Sequence, residues 1–83
     1  MTSERQVRIL EAVYTRRRTG LDTTIRATAD AIGMPVATLL EEVVGLVRGR
    51  LVFRPAGLRP MRRLLLTPAG REQLRGLARM RGG

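Results

Sequence analysis

Residues 51–71, LVFRPAGLRPMRRLLLTPAGR, decide how this chain is read. Two short apolar runs, 51–53 and 64–66, flank a loop that holds Arg54, Arg59, Arg62 and Arg63 and no acid. Apolar runs joined by a Gly- and Pro-containing connection read as the arms of a β-hairpin, with Gly57 at its turn. The second arm ends in Thr67-Pro68, where a hydroxyl can cap free backbone N–H groups and a fixed φ suits the first turn of a helix. A hairpin with a basic tip, closed by a helix, is a device for reaching toward a polyanion.

The residues before the hairpin read as three helices. Ser3 and Gln6 have capping-box spacing, and Val7, Leu10, Val13 and Tyr14 then recur at helical intervals, with Ile9 and Ala12 widening the face. This predicts a first helix over 4–17 that ends in Arg16, Arg17 and Arg18. Cations at that place suit the helix dipole and are also placed for a phosphate. Thr19-Gly20 breaks the helix, residues 21–24 form a connection or a very short strand, and Thr24 caps a second helix over 25–32. Gly33 ends that helix, and Pro35 fits the first position of a third helix over 36–48. The apolar residues of the third helix cover more than one stripe, wider than a single core face requires. Gly45 within it costs about 1 kcal/mol relative to Ala unless a close approach needs it, and Gly49 ends it.

Beyond the hairpin a fourth helix is expected over 68–80, with Leu74, Leu77 and Ala78 inward and a frayed 81–83 tail. Arg71, Arg75 and Arg79 stand at successive i,i+4 positions, a mildly repulsive arrangement that an external anion would relieve. Eighty-three residues make one domain, 1–83, with one modest core. With one Phe, one Tyr and no Trp, that core must be aliphatic.

The order helix, helix, tight turn, helix, basic hairpin, helix resembles a winged helix-turn-helix domain. IRATADAIGMPVATLLEEVVGLVRGRLVF, residues 25–53, is similar to that family's short helix, apolar-Gly-apolar turn, recognition helix and exit into a strand. Ala29, Ile32, Gly33 and Met34 occupy the turn positions. LLLTPAGREQL, residues 64–74, looks like the strand and closing helix that follow the wing in MarR-like and PadR-like regulators. The resemblance covers about residues 4–80 and implies a mainly α fold: a three-helix core, a two-stranded wing over 51–67 and a C-terminal helix. It also implies duplex DNA as partner, with the third helix in the major groove and the wing on the backbone or minor groove.

Charge agrees with a polyanionic partner. Sixteen basic residues, all arginine, stand against seven acids, a net of +9. Guanidinium forks fit phosphate oxygens, and such binding is strongly salt-dependent. The third helix is the exception. The positions that would face a groove, Pro35, Val36, Ala37, Thr38, Glu41, Glu42, Gly45 and Arg48, include few good base readers, and the segment carries two acids and one arginine. Two readings follow. In one, DNA is held mainly by its backbone, through Arg54, Arg59, Arg62 and Arg63 with Arg48 and Arg26, while Ala37 and Thr38 face the bases and Glu41 or Glu42 accepts from cytosine. The chain is then a transcriptional regulator or architectural accessory. In the other, the apolar third helix, through Val36, Leu40, Val44 and Val47, is a surface for a homodimer or a protein partner.

Other classes have little to stand on. The absence of Cys and His removes disulfides, thiolate sites, the commonest general base and the commonest metal ligands, so neither an enzyme nor a cofactor is expected. No phosphate-binding glycine loop and no small-molecule effector site is evident. No apolar run approaches the roughly 18–20 residues that span a bilayer, and the polar start excludes an ordinary signal peptide, so a cytoplasmic protein is expected.

Overall fold

The computed structural model describes residues 3–53 and 62–82. Four helices dominate: α1 (Glu4–Arg18), α2 (Ile25–Ile32), α3 (Val36–Arg48) and α4 (Pro68–Gly82). Among the described residues, extended pairing is confined to two isolated antiparallel bridges, Thr24 with Arg63 and Val52 with Leu66. Of the hairpin expected over 51–67, the described residues show only the Val52–Leu66 bridge, so a two-stranded wing is not established. The part of it that holds Arg54, Gly57 and Arg59 lies outside the described residues.

Local chemistry starts each helix. The Ser3 hydroxyl accepts from the Gln6 N–H, and the Gln6 side chain accepts from the Ser3 N–H, closing a capping box on α1. Thr24 accepts from the Ala27 N–H at 3.1 Å to cap α2. Thr67 accepts from the Gly70 N–H at 3.0 Å at the start of α4. The start of α3 differs from expectation: Pro35 is the residue before the helix rather than its first residue, and it supplies no side-chain cap.

Three helices end in the same way. The Leu21 N–H reaches back to the Arg16 carbonyl, the Met34 N–H to that of Ala29, and the Leu51 N–H to that of Leu46. Each closure needs a left-handed residue just before the donor. Gly20 (φ 75°) and Gly33 (φ 66°) fill that position after α1 and α2. After α3 it falls on Arg50 (φ 59°), because Gly49 sits one position early in right-handed geometry.

The core is aliphatic throughout. Ile9, Leu10 and Val13 of α1 meet Ile25 and Ala29 of α2, Leu39, Val43 and Leu46 of α3, and Val52 and Leu64 from the bridged segments. Burial of each large side chain contributes about 1.5–3 kcal/mol. Helix α1 lies at the centre, packed against the other three. Val36, Leu40 and Val47 lean on this core half-buried, so most of the extra apolar width of α3 is used inside the molecule. Tyr14 does not join it. Its ring is 39% exposed and lies beneath the Arg18 guanidinium, 5.7 Å from ring centroid to Cζ. Helix α4 docks on α1 through Leu74, whereas Ala78 is exposed. The helix continues to Gly82, two residues past the expected end.

Candidate nucleic-acid interface

The bridge between Thr24 and Arg63 brings separate arginines together. The Ile25 N–H donates to the Arg62 carbonyl and the Leu64 N–H to the Thr23 carbonyl, both at 2.8 Å. The backbones carrying Arg62 and Arg63 are thereby fixed beside the first turn of α2, where Arg26 stands. All three side chains are exposed. Arg17 joins them from the end of α1, because Arg17 and Arg63 line one shallow hollow with Asp22 and Thr23. The acid in this hollow is already engaged: its carboxylate accepts from the Thr24 N–H at 3.0 Å and the Thr24 hydroxyl at 3.3 Å.

The run Arg16, Arg17, Arg18 is divided among three tasks. Arg16 Nε donates to the Asp22 carbonyl at 2.7 Å and holds the connection after α1. Arg17 faces the hollow, and Arg18 covers Tyr14. Elsewhere Arg8 donates to the Ile32 carbonyl at 2.8 Å, placing a cation at the C-terminal end of α2, where the helix dipole favours it.

Helix α3 leads off from α2 through the Gly33 turn. Its exposed line runs Ala37, Glu41, Val44 and Arg48, one stripe at helical spacing, with Val44 half-buried and Thr38 half-exposed alongside. Two positions expected to face outward are half-buried, beside the start of α1. Ser3 donates its hydroxyl to the Glu42 carboxylate at 3.4 Å, and a Cβ on Gly45 would lie 2.8 Å from Gln6 Nε2. The N–H groups of the first turn of α3 have no side-chain acceptor from Pro35, and that turn holds no acid. Arg48 is exposed at the other end of the helix.

The surface the sequence did not reveal is at Phe53. Its ring is 53% exposed and lines a hollow with Tyr14, Leu65 and Leu66, edged by Arg17, Arg18 and Arg71. The signal available was composition: these are the only two aromatic residues in the chain, and neither is in the core. Among the described residues no cluster of acids could hold a metal ion, and no helix is long and apolar enough to cross a membrane.

Comparison with protein families, with curated proteins and with solved structures gives no match.

Proposed function

We propose that this chain is a winged helix-turn-helix module that binds duplex DNA, chiefly through the phosphate backbone, as a regulator or architectural accessory in the cytoplasm. The observation that carries the reading is the placement of Arg62 and Arg63 beside Arg26 by the hydrogen bond from Ile25 to Arg62. Three exposed arginines from two distant stretches of sequence have their backbones held side by side, and the Asp22 carboxylate next to them accepts from Thr24. Such an edge suits phosphates rather than bases.

In this reading α3 enters the major groove with its exposed stripe, and Arg54 and Arg59 contact the adjoining backbone. Ala37 offers a methyl to thymine, Glu41 an acceptor to cytosine N4, and Arg48 a phosphate contact. With so few readers, sequence discrimination is low and most affinity is electrostatic. The alternative, α3 as an apolar docking face, has Val44 as its main resource, since Val36, Leu40 and Val47 lean on the core.

The test is fluorescence anisotropy of labelled random and defined duplexes across a salt series. Each phosphate neutralised adds about −0.9 to the slope of log K against log salt, so contacts from all six of these arginines give a slope near −5.4. No binding at 20–50 mM salt, roughly where the electrostatic term is strongest, overturns the proposal.

A further inference from the structure

Helices α1 and α4 leave between them an open groove that shares only Arg17 with the arginine edge described above. It consists of two adjoining hollows, of about 350 and 560 Å³, that share Tyr14 and Arg71. The floor is apolar: Phe53, Leu65 and Leu66 at one end, Leu74 and Ala78 at the other. The rim is cationic, with Arg17 and Arg18 on α1 and Arg71 and Arg75 on α4, against one acid, Glu11. Arg75 lies 3.6 Å from the Glu72 carboxylate in an exposed pair, which holds it only weakly.

We propose that this groove is the docking site for an acidic amphipathic helix of a partner protein. Aromatic residues mark the groove. The chain has one Tyr and one Phe, and both lie on this surface, 39% and 53% exposed, while the core is closed without them. Exposed aromatics beside a pocket are the residues that carry binding energy at protein interfaces. Charge narrows the choice of ligand. An apolar floor between rows of arginine complements a ligand with apolar anchors and flanking carboxylates. A trough between two helices accepts a third through anchors at i, i+3 or i+4, and i+7. Two adjoining hollows suit anchors about one turn apart.

Charge also selects among occupants. A second copy would set one arginine rim against another on a chain of net +9. A single-stranded nucleic acid would need a succession of aromatic faces for stacking, whereas this floor sets Tyr14 and Phe53 among Leu65, Leu66, Leu74 and Ala78.

The experiment selects phage-displayed random 16-residue peptides on the full chain and measures the enriched ones, fluorescein-labelled, by anisotropy. The expected peptides carry apolar residues at helical spacing and a net negative charge. Arg71→Glu with Arg75→Glu weakens them more than tenfold. Tyr14→Ser with Phe53→Ser also weakens them more than tenfold, while duplex binding stays within twofold of the parent. Thermal melting confirms that both double variants are folded; since Arg71 and Arg75 are exposed, the charge variant remains informative if the aromatic one is not. Enriched peptides that are not acidic, or that bind both variants like the parent, overturn the proposal. It is also overturned if the aromatic variant turns a dimer into a monomer in sedimentation, or abolishes binding of single- or double-stranded nucleic acid. Peptide binding that survives without duplex binding would leave this inference standing and remove the DNA reading.

Discussion

Gly70 lies directly against the Leu51 carbonyl: a Cβ built on Gly70 would overlap that oxygen and crowd the Leu51 backbone. The same carbonyl accepts from the Thr67 N–H at 3.1 Å, so α4 begins pressed against the exit from α3. Backbone cannot step aside as a side-chain tip can. Gly70→Ala is therefore expected to destabilise the protein by about 2–3 kcal/mol, despite a gain of roughly 1 kcal/mol in helix propensity. Gly76 faces open space, and Gly76→Ala should stabilise by up to about 1 kcal/mol. Urea denaturation of the two variants gives the comparison, and equal midpoints would refute the close approach.

Arg50 holds the left-handed position that Gly20 and Gly33 hold after the other two helices. A side chain there is strained by roughly 1–2 kcal/mol. The Thr67 hydroxyl donates to the Arg50 carbonyl at 2.6 Å and helps hold it. Arg50→Gly should raise the urea midpoint by an amount worth about 1 kcal/mol, whereas Arg50→Ala, equally strained, should not.

Thr28 is fully buried in α2, and its hydroxyl has no hydrogen-bond partner. A buried polar group without a partner costs about 1–3 kcal/mol relative to one left in water. Thr28→Val keeps the shape and removes the oxygen, so thermal unfolding should shift upward. A lower melting temperature for the valine variant would mean that the hydroxyl is satisfied in solution.

For duplex DNA, each phosphate contact contributes about −0.9 to the salt slope. Arg62→Ala with Arg63→Ala should flatten the slope by about 1.8, and Arg26→Ala by about 0.9 more. Arg79→Ala, on the far turns of α4, should leave it nearly unchanged. A double variant that keeps the parental slope would show that the phosphates are held elsewhere.

Features set by neighbours in sequence were readable before the structure. The caps at Ser3, Thr24 and Thr67 and the stop at Gly33 each depend on a few adjacent residues, and the structure has them. Features set by what packs on a face were not. Periodicity grouped Tyr14 with Val7, Leu10 and Val13, but it cannot tell how far a partner covers the edge of a stripe; the ring lies in the groove. The same limit made α3 look too apolar, because Val36, Leu40 and Val47 find neighbours only after the helices assemble. Gly49 marked the end of α3 correctly, yet the left-handed turn fell on Arg50, an offset of one residue that composition does not encode. At the candidate interface, arginine content was plain from sequence. The placement of Arg62 and Arg63 beside Arg26 depends on long-range backbone pairing, and the approach of Ser3 and Gln6 to Glu42 and Gly45 on side-chain packing between α1 and α3.

Four backbone hydrogen bonds hold the 62–67 segment: Ile25 to Arg62, Leu64 to Thr23, Phe53 to Leu65 and Thr67 to Leu51. The first two tie it to the start of α2 and the last two to the exit from α3. The segment is in that sense a seam: peeling it away would loosen two helices at once, so local opening there is coupled to the helical body.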